Sequence, residues 1–214
     1  MATDQNLTEK QIMKKNKNVL DALLERCKEV FPDRQAEIEK KARTLFSEYI
    51  KSETGKSKAV TMHTVERIYP CIAFYKAVSE CAGAPERAYA IIDGFFEKES
   101  AASAKKLQKL CRVPFVYKLV PRVMASIIRR YFGTPSGFEM LVHETKRNVC
   151  HIDMIKCPYF SICSEQGCTE LTTVFCNSDD IAYGNMHDKL SWERKKTLGR
   201  GDECCDFILR VKKR

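Results

Sequence analysis

The chain has 214 residues, 44% hydrophobic and 30% charged, which is enough apolar material for a core and excludes general disorder. Only nine Gly and seven Pro exclude collagen-like and low-complexity chains. The net charge of +9 lies wholly in residues 1–133, with 25 basic and 16 acidic residues, because residues 134–214 carry twelve of each. No run of about 18 apolar residues occurs, so no conventional transmembrane helix is expected. The nearest approach, Val113 to Phe132, is interrupted by Lys118, Arg122, Arg129 and Arg130. The opening MATDQNLTEKQ lacks the apolar centre of a signal peptide, and a soluble, cytoplasmic protein is expected.

In chain order, Thr8-Glu9-Lys10-Gln11 fits a capping box. The helix it opens carries Ile12, Leu20, Leu23, Leu24, Cys27 and Phe31 at three- and four-residue spacing. Pro32-Asp33 breaks it and starts a second helix with Ile38, Ala42, Leu45, Phe46 and Tyr49 on one face. Ser52 to Ser57 reads as a loop. A third helix is predicted from Thr61 to Ala82, bent or split by Pro70 and stopped by Gly83. Pro85 opens a fourth, with Ala88, Ile91, Ile92, Phe95 and Phe96, which fades through SAASAKK. A last helical stretch spans Phe115 to Tyr131, bent at Pro121 and ended by Gly133.

Beyond Gly133 the texture changes. Met140 to Lys156 predicts one or two strands, and Cys157-Pro158 ends them. Thr169 to Asn177 predicts a short helix. Leu190 to Leu198 and Cys205 to Val211 predict two strands around the Gly199-Arg200-Gly201-Asp202 turn. The fold class is α+β: a helical region over 1–133, then a cysteine-rich α+β region over 134–214 with a small antiparallel sheet and short helices, the two taken as one compact unit.

Eleven cysteines are present, seven of them from Cys150 to Cys205. Without a secretory signal a disulfide framework is not expected, which leaves buried thiols, a metal site or thiol chemistry. The spacing of Cys157, Cys163, Cys168 and Cys176 matches no common zinc module, and a divalent metal is left open as cofactor. Cys157 precedes Pro158 at a strand end, where helix N–H groups can lower a thiol pKa; the spacing alone favours the other reading, a buried structural cysteine. Cys176 shares a helix face with Asp179 and Asp180 if the helix continues, so either carboxylate can serve as general base, metal ligand or turn residue. Cys204 and Cys205 point to opposite faces of a strand. Arg194 is either a carboxylate anchor or a surface strand arginine, with Trp192 and Lys196 on its face. The scattered lysines read as solvated helix faces, so no nucleic-acid partner is expected. No stable membrane insertion is expected either, though the basic helix from Val113 to Tyr131 leaves surface association as a further reading.

Taken together, Cys157-Pro158-Tyr159, Glu170-Leu171, Phe175-Cys176 with Asp179-Asp180, and Arg194 followed by Thr197-Leu198-Gly199, Gly201 and Cys205-Asp206-Phe207 form an ordered set. With Ile68-Tyr69-Pro70, Ile72-Ala73-Phe74-Tyr75-Lys76 and Gly137-Phe138-Glu139 upstream, it resembles the L-2-amino-thiazoline-4-carboxylic acid hydrolase family. The pair Cys204-Cys205 stands where one cysteine is usual, and Cys163 and Cys168 look like additions. The resemblance implies a hydrolase that opens a small cyclic amidine-like ring to a carbamoyl-cysteine. It implies Cys176 or Cys157 as nucleophile, or as metal ligand with Cys205. Asp179 or Asp180 becomes general base, Glu170 a proton shuttle or orienter, and Arg194 with Trp192 the substrate-binding pair. The partner is then a small-molecule substrate, with a homo-oligomer left open. The closing Gly201, Cys205 and Phe207 also resemble the vinyl-reductase type of ligand-binding domain, which implies the alternative of a non-catalytic small-ligand or metal sensor.

Overall fold

A computed structural model describes residues 19–213. The predicted capping box at Thr8 lies outside them. By packing, the chain forms two compact units, residues up to Phe95 with Ile162–Leu171, and Phe96–Ser161 with the residues from Thr172 on. These boundaries follow contacts, whereas the break at residue 133 is one of composition.

The first unit is helical. α1 (Val19–Val30) buries Leu20, Leu23, Leu24 and Cys27, and α2 (Gln35–Glu53) buries Ile38, Ala42, Phe46 and Ile50. The predicted third helix is in three parts: α3 (Lys58–His63), a π-helical turn (Thr64–Ile68) and α4 (Tyr69–Ala82). Proline has no N–H and its ring crowds the carbonyl four residues back, so the widened turn lets the chain pass Pro70 without a sharp break. The turn also aims Thr64 and Tyr69 at Glu53, which is 1% exposed. Its carboxylate accepts from Thr64 Oγ1 at 2.8 Å, Tyr69 Oη at 3.2 Å and Lys56 Nζ at 2.7 Å. Gly83, at φ 60°, closes α4 as expected.

α5 (Pro85–Cys111) does not fade at SAASAKK but runs for 27 residues, because the three alanines of that stretch are strong helix formers. It is followed by a 3₁₀ turn (Val116–Leu119) and α6 (Val120–Tyr131). Pro121 sits in the first turn of α6, where its missing N–H costs nothing, so it starts the helix instead of bending it.

The second unit contains four antiparallel strands in the order β1-β2-β4-β3. They are β1 (Glu139–Lys146), β2 (Val149–Lys156), β3 (Leu190–Glu193) and β4 (Cys205–Val211). β2 buries Cys150, Ile152 and Met154 and turns His151, Asp153 and Ile155 to the other face, the period-two pattern of a half-buried strand. α6 supplies Ala125, and Met124 and Ile128 beside it, to the core formed with Cys150, Ile152, Leu190 and Leu209. α7 (Pro158–Glu165) and α8 (Leu171–Tyr183) follow β2. β3 stops at Glu193, shorter than predicted, because residues 194–201 leave the sheet to form a loop and a 3₁₀ turn (Leu198–Arg200). Helices followed by a small antiparallel sheet make the fold α+β. Among the described residues no helix is long and apolar enough to cross a membrane.

Candidate functional site

The second unit gathers Cys157, Cys176, Cys205, Asp179 and Arg194 from four different elements. Cys157 lies between β2 and α7, Cys176 and Asp179 lie in α8, Cys205 begins β4, and Arg194 follows β3. The three thiols interact electrostatically with one another and with Asp179, and the Arg194 charge acts on both Cys176 and Cys205.

α8 continues six residues past its predicted end at Asn177. Cys176, Asp179 and Asp180 therefore fall at i, i+3 and i+4, one helix face. Gly184 makes the exit: a Cβ there would stand 2.6 Å from the Asp180 carbonyl oxygen. Arg194 is not a surface strand arginine. Its side chain is 1% exposed, and Nη2 donates to the Cys176 carbonyl at 2.7 Å and to the Asp180 carboxylate. Nη1 lies 3.7 Å from Asp179 Oδ2 and, though buried, has no hydrogen-bond partner among the described residues. Asp180 is committed on both sides, because Trp192 Nε1 donates to its other oxygen at 2.9 Å. Asp180 and Trp192 thus position the guanidinium. Lys196 does not share that arrangement; it leaves to pair with Glu203.

The loop over the thiols depends on Asp206 and Asp202, which the sequence offers only as a motif residue and a turn residue. Asp206 Oδ1 accepts the N–H groups of Lys195 at 2.7 Å and Lys196 at 2.5 Å. Asp202 Oδ2 accepts that of Thr197 at 2.6 Å. These acceptors lie five to eleven residues beyond the N–H groups they bind, outside the range of a local Asx turn, so no short sequence motif announces them. Gly199, expected to close a hairpin, does something else. A Cβ on it would meet Thr172 Cγ2 at 2.9 Å and Cys176 Sγ at 3.2 Å, so only glycine lets the loop rest on α8. Leu198 N–H then donates to Cys205 Sγ at 3.3 Å.

Burial dominates the thiol chemistry. It pushes Cys157 and Cys176 up to about 12 and raises Cys205 as well. The N–H groups of Phe160 and Tyr159 at the start of α7 oppose the shift at Cys157, as does the Arg194 charge at Cys176. All three are thiols, not thiolates, at neutral pH. Cys157 is the half-buried member, and Cys176 and Cys205 are buried.

Glu170 belongs to the first unit, where it accepts the Tyr75 hydroxyl. Cys163 and Cys168 are also in that unit, and Cys163 lowers the Cys168 pKa by hydrogen bonding. For a metal, the three or more His, Cys, Asp or Glu ligand atoms that come within 4.8 Å of one another among the described residues are those of His143, His151 and Asp153, not the thiols.

The family model described as L-2-amino-thiazoline-4-carboxylic acid hydrolase matches residues 61–209, a span that includes every residue of the thiol cluster. No curated protein and no solved structure matches the chain.

Proposed function

The chain belongs to the L-2-amino-thiazoline-4-carboxylic acid hydrolase family, and from that premise we propose that it adds water to a small cyclic amidine-like ring and opens it. The observation that carries this reading is the electrostatic coupling of three thiols and Asp179 to a buried guanidinium whose Nη1 has no hydrogen-bond partner among the described residues. Nη1 of Arg194 takes the substrate carboxylate, and Asp180 and Trp192 hold it in place.

Cys157 is the nucleophile, since it combines access with two backbone donors that stabilise its thiolate. A protonated thiol needs a base, and the amidine supplies one. The Sγ proton passes to the ring nitrogen, which makes the carbon between nitrogen and sulfur more electrophilic, and Sγ bonds to that carbon. A carbamoyl-cysteine keeps both nitrogens on that carbon, so the bond that breaks is ring carbon to sulfur, the sulfur leaving with the electron pair. Water then attacks the same carbon and Asp179 takes its proton, which passes to the departed sulfur. Collapse of the resulting centre returns the last proton to Cys157 as its Sγ leaves.

The test is turnover of L-2-amino-thiazoline-4-carboxylate by the reduced protein, followed by mass spectrometry. A product heavier by one water is expected, with Cys157→Ser slower by at least a hundredfold and Asp179→Asn impaired. Unchanged turnover in Cys157→Ser would end the thiol mechanism. The burial that keeps all three thiols neutral also suits a second reading, a binding module that retains a small ligand stoichiometrically. Bound ligand after purification with no product on any substrate tried would favour it.

A further inference from the structure

The sheet face turned away from the core carries a constellation that the proposed reaction does not use. His151 and Asp153 alternate with the core residues of β2. The register of β1 shifts between Val142 and Glu144, leaving His143 as the extra residue of a bulge. Bulges re-aim side chains, and this one sets His143 beside the other two. The two imidazoles stack with centroids 4.4 Å apart and 26° between planes. Both present Nε2 to one carboxylate, His143 at 2.7 Å from Asp153 Oδ2 and His151 at 3.9 Å from Oδ1.

That second separation is too long for a hydrogen bond, and Oδ1 is buried with no hydrogen-bond partner among the described residues. A buried carboxylate oxygen left in this state calls for an explanation, and an ion is one. With bonds of about 2 Å, a tetrahedral ion holds its ligand atoms about 3.3 Å apart, so the 3.9 Å between Oδ1 and the His151 nitrogen has to close by about half an ångström to take one. We propose that His143, His151 and Asp153 bind a divalent transition metal of the zinc, cobalt or nickel class. Two imidazoles and a carboxylate suit such ions and disfavour magnesium and calcium, which take all-oxygen sets. His143 is exposed, so the remaining coordination positions face solvent and the site is open, not a closed structural centre. The site is independent of the proposed hydrolysis.

The experiment is a titration of the chelator-stripped, reduced full chain with cobalt(II), read by visible absorption, and with zinc(II), read by calorimetry. One equivalent should bind with the spectrum of nitrogen and oxygen ligation and no sulfur-to-cobalt charge-transfer band. His143→Ala and His151→Ala should each weaken it at least tenfold, and Cys157→Ser and Cys204→Ser should leave it intact. Both histidines are partly exposed, so the variants should fold; as a second readout, zinc should raise the Tm of the natural chain and not that of His143→Ala. Affinity indifferent to both histidines, or a charge-transfer band lost with a cysteine, would overturn the proposal.

A separate surface of the second unit carries a second proposal. Leu110, Val113, Phe115, Leu119, Val123 and Ile127 are all exposed, Phe115 to 68% at a left-handed backbone position. Leu119, Val123 and Ile127 recur every fourth residue, an outer stripe along α6 and its lead-in. Between Ser100 and Phe138 there are eight Lys or Arg and no Asp or Glu. We propose that this face docks on an anionic lipid bilayer, the apolar stripe entering the interface and the excess positive charge of the same stretch attracting the anionic headgroups. A second copy of the chain would bring equal positive charge against it and is disfavoured.

Flotation with phosphatidylcholine vesicles, with and without 30% phosphatidylglycerol, tests this. Binding should require the anionic lipid, fall as salt rises, and drop at least tenfold in the Phe115→Asn, Val123→Ser, Ile127→Ser combination, with Phe115→Asn alone as the mildest variant. No binding at low salt, or binding blind to these substitutions, would refute it. A dimer in sedimentation that the same substitutions dissolve would reassign the face to self-association.

Discussion

Asp180→Ala strikes the group that holds the guanidinium. The Arg194 side chain is 1% exposed, so its charge cannot turn to water when the carboxylate is removed. The lost charge-assisted hydrogen bond is worth about 1.5–3 kcal/mol and the stranded Trp192 Nε1 about 1 kcal/mol more. Arg194 retains the Cys176 carbonyl at 2.7 Å and can swing toward Asp179, 3.7 Å from Nη1, which recovers part of the loss. The expected cost is about 2–4 kcal/mol, at or below the range for breaking a buried ion pair. Urea unfolding followed by tryptophan fluorescence is well placed to read it, since the single Trp192 sits on the residue removed. The midpoint should fall by about 1–2 M for an m-value near 2 kcal/mol/M. Trp192→Phe, followed by circular dichroism because it removes the only tryptophan, should cost about 1 kcal/mol alone and less in the Asp180→Ala background, because the hydrogen bond they share is then already gone. A loss below about 0.5 kcal/mol for Asp180→Ala would show that the guanidinium is not held in the way described.

Gly199→Ala should cut turnover or ligand binding at least tenfold while the chain stays folded, and Thr172→Ser should restore part of it by removing the methyl 2.9 Å from the new Cβ; kinetics of the single and double variants check this. Glu53→Ala should destabilise the first unit by about 3 kcal/mol, since it strands Thr64 and Tyr69 beside an emptied buried position, and thermal unfolding by circular dichroism reads it. The raised thiols fix a pH dependence. A folded-state pKa near 12, above the free-cysteine value, gives stability that is full below about pH 9 and lost as pH rises toward 12. Urea midpoints from pH 7 to 10.5 should therefore fall with a slope that Cys176→Ser reduces. Iodoacetamide should label Cys157 slowly at pH 7.5 and faster as pH rises.

Sequence periodicity reached the elements because local physics makes them. The three- and four-residue spacing of Leu20, Leu23, Leu24 and Cys27, the left-handed Gly83 and the alternation along β2 each report a secondary structure that nearby residues suffice to form. The ordered cysteine, aspartate and arginine motifs reached the family because its residue types are read in chain order, without reference to the fold. What periodicity could not settle is which of two local options packing would select. Pro70 was legible as a break, yet the π-helical turn that carries the chain past it exists to aim Thr64 and Tyr69 at Glu53, eleven and sixteen residues away. In sequence Arg194 reads either as a carboxylate anchor or as an exposed strand residue. Only the approach of α8, fourteen residues earlier in the chain, buries it against Asp180. Gly199 reads as a turn glycine until Cys176 Sγ arrives 3.2 Å from where its Cβ would be. The bulge that brings His143 to Asp153 follows from a strand register with no signature in either strand alone. Hydrogen-bonding and hydrophobic period act between neighbours in the chain and are written there, whereas burial, pKa and the meeting of charges depend on distances that exist only once remote segments have packed.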